Sequence, residues 1–352
     1  MTRRTDIDWL RVIAIGLLLA YHTAIGFQSW GFMIGFLTND RPIEVLWIPM
    51  SLLNVWRIPL LFFVSGMGLF FASERRDWRQ LLAERARRIL VPFVFGCLVV
   101  VPVQIWMIQG YYHQRLGYVV NPAHLWFLGN IFIYVLAGLP LLLLIKRRFA
   151  LIVQRVFGGV WGLPIVVAAF AGEVLLVKPL TYELYAMTGH GFFLGFLAFV
   201  FGFCFVLAGE PFWRLLGKGR WVFLGVAIAL YTWRLLQPFM RVPAVSMSIE
   251  SNAWVLTVLA FGHKHLNRPG RTLRYLSEAA YPIYIVHMIF LNGASALVFP
   301  MKLVAPLKFV LVLVVELTGC FVLYEGLIRR VPFLRVLFGL KPLTRGHLLI
   351  KA

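Results

Sequence analysis

Apolar residues in this chain run in long, nearly unbroken blocks, not in the short alternations of strands or the one-sided stripes of surface helices. Runs of roughly 17–25 residues are needed to cross a bilayer. Such runs recur near residues 8–27, 47–72, 90–109, 124–145, 158–177, 190–209, 221–236, 250–265, 277–299 and 307–327. The pattern predicts an all-α polytopic membrane helix bundle of about ten transmembrane helices. The runs at 221–236 and 250–265 are the shortest.

Polar residues inside these runs carry the information. The stretch "RRTDIDWLRVIAIGLLLAYHTAIGF" begins the first span and places Asp8, Arg11 and His22 in it. Eleven residues at about 100° each bring Arg11 and His22 within roughly 20° of one helix face, with Asp8 about 40° away. At 1.5 Å per residue His22 lies about 16.5 Å beyond Arg11, which predicts an imidazole near mid-membrane and a guanidinium at the edge. Ionisable groups at that depth cost several kcal/mol and mark functional positions by default. The plainer alternative is a snorkelling arginine and a histidine bonded between helices.

The second span reads "WRIPLLFFVSGMGLF", with Arg57 early, Pro59 after it, and Ser65 and Gly66 near its middle. Pro59 reads as a kink and Ser65-Gly66 as a close helix contact. The segment that follows, "ERRDWRQLLAERARRILVPF", holds six arginines, including Arg85 and Arg88 at a spacing that shares one α-helical face. Guanidinium groups pair well with phosphate or carboxylate. His124 and Trp126 start the fourth span, His287 lies several residues into the ninth, and Glu173, Glu316 and Glu325 fall within or at the ends of spans. Glu325 is expected to pair with a basic residue near it.

Composition agrees with a membrane setting: 61% hydrophobic residues, 14% charged and a mean hydropathy of +0.83 in 352 residues. The net charge of +20 would suggest nucleic acid in a soluble protein. Here 26 of the 34 lysines and arginines cluster in alternate segments, against five in the opposite loops (Arg41, Arg115, Lys178, Arg241, Lys302). That asymmetry predicts both termini in the cytoplasm and no nucleic-acid partner. The N-terminal run is expected to be an uncleaved first span. Residues 1–330 form the expected transmembrane domain, and 331–352 a basic cytoplasmic tail that could lie on the anionic inner leaflet. Three cysteines, all within apolar runs, predict neither disulfides nor a structural zinc site. No P-loop, nucleophile elbow, HExxH or dinucleotide turn occurs, and no metal or tightly bound cofactor is expected.

Five pieces, in order, resemble the membrane family acyltransferase 3: Arg11 and His22 in the first span, "RIPLLFFVSG", the R-x-x-R of Arg85 and Arg88, "HLWFL" at 124–128 and "YPIYIVH" at 281–287. The resemblance covers nearly the whole chain and is greatest to the branch containing the succinyltransferase of osmoregulated periplasmic glucans. It implies a bacterial inner-membrane enzyme that moves an acetyl or succinyl group from cytoplasmic acyl-CoA to a hydroxyl of an extracytoplasmic glycan. The family's site positions carry over onto Arg11, His22, Arg85 and Arg88. Relatives that modify lipopolysaccharide often add a soluble esterase-like domain after the membrane part; this sequence carries none, so an acceptor that dispenses with it is expected.

On this reading Arg11, Arg85 and Arg88 hold the phosphates of CoA, and His22 acts with Arg11 in catalysis, either as general base or as nucleophile. Arg57, His124 and His287 would position the acceptor or stabilise an oxyanion. The competing class is a secondary transporter of a small anionic or sugar substrate, which also buries arginines and histidines. A histidine-dependent enzyme of the other large membrane O-acyltransferase superfamily and a structural scaffold are further rivals; neither needs the first-span pair.

Overall fold

The computed structural model describes residues 4–342. Among these residues every long element is a helix: α1 (Thr5–Ile25), α2 (Trp47–Ser73), α3 (Trp78–Tyr111), α4 (Ala123–Arg148), α5 (Ala150–Phe157), α6 (Gly162–Val177), α7 (Gly189–Ala208), α8 (Glu210–Leu235), α9 (Ala244–His265), α10 (Arg271–Val298), α11 (Ala305–Ile328) and α12 (Pro332–Leu337). Nine of the described helices are long and apolar enough to cross a membrane, or ten if α5 and α6, bent by 96°, make one broken span.

The two shortest expected spans are full helices of 26 and 22 residues, α8 and α9. Hydropathy truncates α8 because Arg214, Lys218 and Arg220 continue the helix past its apolar part. The arginine-rich segment after the second span is likewise helical from Trp78 onward, not a loop. Two π-helical turns, over Ala86–Leu90 and Gly96–Val100, interrupt α3, and a third closes α11 over Tyr324–Ile328. Each inserts a residue into the turn and shifts the facing of side chains beyond it.

The chain forms two compact units. The first comprises the N-terminal residues to Ala14, Ile48–Leu82 and Asn130–Leu273. In it α2 and α7 touch backbone to backbone: a Cβ on Gly66 would lie 1.9 Å from the Phe199 carbonyl oxygen, and one on Gly202 would lie 2.1 Å from that of Phe63. Small residues permit this approach, and dispersion over the facing phenylalanines stabilises it. Polar groups in this unit are paired in depth. Arg234, 1% exposed, makes a two-pronged bond to Glu250 (2.9 and 2.8 Å) and donates to Glu183 at 3.1 Å and to the Ser51 carbonyl at 3.2 Å. Burial pushes the Glu183 carboxyl up, and the Arg234 charge opposes that rise. Buried His190 holds Glu173 through Nδ1 at 3.0 and 3.1 Å.

The second unit comprises Ile15–Trp47, Ala83–Gly129 and the chain from Arg274 onward. Its apolar core joins Phe27 and Leu37 to Met288, Leu291, Ala294 and Val298 of α10 and Val312 of α11. The start of the expected tail belongs to this unit. Arg335 of α12 is buried, donating to the Arg329 and Lys341 carbonyls at 2.9 and 2.8 Å and to Glu278 at 3.0 Å. The rest of that tail, 343–352, lies outside the described residues.

Candidate active site

Three histidines from three distant parts of the sequence meet in the second unit. His22 Nδ1 lies 2.8 Å from His287 Nε2, with the rings nearly parallel at 14°. His124 meets His287 edge-on, centroids 5.0 Å apart. α1 ends at Ile25, so His22 stands in its last turn. α10 supplies His287, which is 0% exposed, and the first turn of α4 supplies His124.

For neutral rings, the hydrogen bonds define the proton positions. His287 Nδ1 lies 2.7 Å from the Tyr284 carbonyl, which can only accept, so Nδ1 carries the proton and Nε2 the lone pair. His22 must then donate through Nδ1 to His287, which leaves the lone pair of His22 on Nε2. The result is a directed chain from His22 through His287 to a main-chain carbonyl. His124 donates through Nε2 to the Ile285 carbonyl at 3.1 Å, and its carbonyl accepts the Tyr284 hydroxyl. Its Nδ1, an acceptor, is buried with no hydrogen-bond partner among the described residues.

A folded strap, residues 26–46, follows α1. Main-chain bonds close it, from Asn39 to Gly26 and from Ile43 to Phe27, both 2.8 Å. Lys308, 3% exposed, fastens one side by donating to Asn39 Oδ1 at 3.0 Å and to the Phe299 carbonyl at 2.6 Å. Tyr112 fastens the other, donating to the Phe36 carbonyl at 3.1 Å and accepting from the Thr38 amide at 3.2 Å. Phe36 thereby rests edge-on against His22, centroids 5.6 Å apart.

Arg85 and Arg88 belong to the same unit, at the basic end of α3. Arg88 contacts Glu84 at 3.3 Å and the Gly339 carbonyl at 3.5 Å. The π-helical turn beginning after Arg85 alters the shared face that a regular helix gives this spacing. Arg11 and Arg57 belong to the first unit. Arg11 approaches Asp8 at 3.6 Å, and Arg57 is buried to 1% beside Pro59. Glu325 pairs with Arg329 at 2.7 Å, as expected of a carboxylate beside basic residues.

Sequence reading missed other polar partners. Glu316 meets the Thr23 hydroxyl at 2.7 Å, next in sequence to His22. Glu250 lies at the start of one of the two shortest apolar runs, and a cation within the other, Arg234, is the signal that an acid is near. Among the described residues, no three His, Cys, Asp or Glu side chains are placed to share a metal ion.

Comparison with curated proteins and with solved structures gave no match. A family model described as an acyltransferase domain matches residues 4–325 and so takes in His22, His124 and His287, the strap, and Arg85 and Arg88. With nearly its whole described length inside that match and its helices long and apolar enough to span a bilayer nine or ten times, the chain belongs to the acyltransferase 3 family and is a multi-pass membrane protein with an acyltransferase domain.

Proposed function

We propose that the protein transfers an acetyl or succinyl group from cytoplasmic acyl-CoA to a hydroxyl of an extracytoplasmic glycan, in the manner of the periplasmic glucan succinyltransferase branch. The observation that carries this is the His22–His287 bond, because it presents His22 Nε2 as a base whose opposite nitrogen is already committed. His22 Nε2 takes the proton from the acceptor hydroxyl as its oxygen attacks the thioester carbonyl. Collapse of the tetrahedral adduct breaks the C–S bond, and the imidazolium returns the proton to the sulfur, giving ester and free CoA. His287 orients the ring and accepts from its Nδ1–H throughout, so the imidazolium forms with a partner already in place.

Arg85 and Arg88 supply guanidinium groups for the donor's phosphates at the basic, cytoplasmic end. The family resemblance alone supports a part for Arg11. His124, with its buried acceptor nitrogen, and Arg57 are proposed to serve the acceptor side, each tested by its own variant. The basic-residue asymmetry supports cytoplasmic termini in a bacterial inner membrane.

The test is acyl transfer and acyl-CoA binding by purified protein, with acetyl-CoA and succinyl-CoA in parallel. His22→Ala should bind donor and transfer nothing, whereas Arg85→Ala/Arg88→Ala should lose donor binding. Normal transfer by abundant, inserted His22→Ala would remove the mechanism. Absence of acyl-CoA binding in the wild type would remove the acyltransferase reading and leave transport to be tested by gradient-dependent uptake.

A further inference from the structure

On one face of α10 in the second unit lie two buried hydroxyl groups without a partner among the described residues, those of Ser277 and Tyr281. Gly339, at φ +70°, presses its turn between Tyr281 and α3: a Cβ there would lie 2.6 Å from the Tyr281 ring and 2.8 Å from the Arg88 carbonyl oxygen. Arg88 Nε donates back to the Gly339 carbonyl. The Tyr281 ring is therefore held against the main chain that bears Arg88, and its hydroxyl lies in the field of both Arg85 and Arg88. That hydroxyl oxygen is shielded from solvent and has no hydrogen-bond partner among the described residues. The same holds for Ser277 Oγ, one turn earlier on the same face of α10.

Buried polar atoms in folded proteins are nearly always bonded, so two orphans on one face of α10, the Tyr281 hydroxyl in the field of two guanidinium groups and the Ser277 hydroxyl one turn away, ask for a ligand. Guanidinium groups only donate, and both hydroxyls have a proton to give, which suits an anionic, acceptor-rich group. Position along α10 narrows the choice. Tyr281 precedes His287 by about 9 Å of helix axis and Ser277 by about 15 Å. An acyl group at the histidines leaves this end to the opposite end of the donor, which carries phosphate.

We propose that the Tyr281 and Ser277 hydroxyls bind a phosphate of the acyl-CoA donor together with Arg85 and Arg88, an assignment that rests on the acyltransferase reading. The shared chemistry is a phosphate ester, and a lipid headgroup could also bring one. Tyr281→Phe keeps the ring that packs on Gly339 and removes only the hydroxyl; Ser277→Ala does the same one turn away.

The experiment measures steady-state transfer by wild type, Y281F and S277A in nanodiscs, with acyl-CoA, acyl-4′-phosphopantetheine and acyl-pantetheine as donors. Y281F should raise the KM for acyl-CoA about tenfold, equivalent to about 1.4 kcal/mol, with the loss confined to phosphate-bearing donors. S277A should move the same preference in the same direction. A variant that is folded and abundant yet raises KM for every donor equally, or for none, overturns the proposal while leaving the acyltransferase reading intact. A Y281F effect that follows only the exchange of phosphatidylglycerol for phosphatidylcholine, at equal acyl-CoA KM, assigns the phosphate to lipid and also overturns it. Failure of the wild type to use any acyl thioester overturns both readings.

Discussion

His22 and His287, 265 residues apart in sequence, share a single hydrogen bond of 2.8 Å from Nδ1 to Nε2. On the proposed mechanism the bond sets which nitrogen of His22 acts, so the two residues should fail differently. If His22 is the base, His22→Ala should cut kcat by about 10²–10⁴-fold. His287→Ala leaves the base but frees its ring, and should reduce kcat less, with donor KM nearly unchanged. Equal KM increases in both variants, without loss of kcat, would mean that the pair binds and does not catalyse.

Phe36 covers His22 because Tyr112 holds the strap by its main chain. Tyr112→Phe removes the hydroxyl that bonds Phe36 and Thr38 while keeping the ring. A loosened cover should let water compete with the acceptor, so acyl-CoA hydrolysis without acceptor should rise several-fold while transfer falls. Free CoA and ester product, measured together, give the ratio. An unchanged ratio would show that the strap does not control access to His22.

The Gly66 and Gly202 contacts leave no room for a methyl group, and the atoms they meet are main chain. Gly66→Ala should destabilise the protein by about 1–3 kcal/mol, as overpacking does. Gly225→Ala, where a Cβ meets nothing within 4 Å, should be neutral or stabilise by about 0.5–1 kcal/mol, as expected in a helix interior. Thermal unfolding in one detergent checks both, and equal midpoints would contradict the close crossing.

Arg234 donates to Glu250, Glu183 and the Ser51 carbonyl, and removing it strands these buried acceptors. Arg234→Met should cost about 3–5 kcal/mol, the penalty for stranding a buried charge. Glu250→Gln keeps the shape and one of the two acceptors that face Arg234 and should cost less. Retained stability in Arg234→Met would show that the cluster is solvated and contributes little.

Glu183 adds a pH dependence of known sign. Its folded carboxyl is raised above the ordinary value of 4.5, so the folded protein holds this proton more tightly than the unfolded chain. The contribution to stability is then greatest below that value and declines as pH rises from 4.5 through the raised folded value. Glu183→Gln removes the titration, and its unfolding midpoint should fall less than that of wild type as pH is raised from 4.5. A steeper fall in the variant would reverse the sign.

The apolar runs and the basic asymmetry are local quantities, and they alone determined an all-helical, polytopic chain and marked His22, His124, His287, Arg57, Arg85 and Arg88 as polar intruders. The close contact of Gly66 was also legible, because a small residue beside a serine in an apolar run has few other uses. Helix ends were less legible: α8 continues through basic residues that hydropathy excludes, and α1 stops one turn after His22, where the strap begins. What only the tertiary structure decided is which intruders meet. Periodicity gives a residue's face on its own helix, but the 2.8 Å approach of His22 to His287 depends on how α1 packs beside α10 in the second unit. The same is true of Glu250 and Arg234, and of Tyr281 beside Arg88. Hydrogen bonds between helices act over about 3 Å, and no pattern along one chain encodes a distance that packing of many side chains must set.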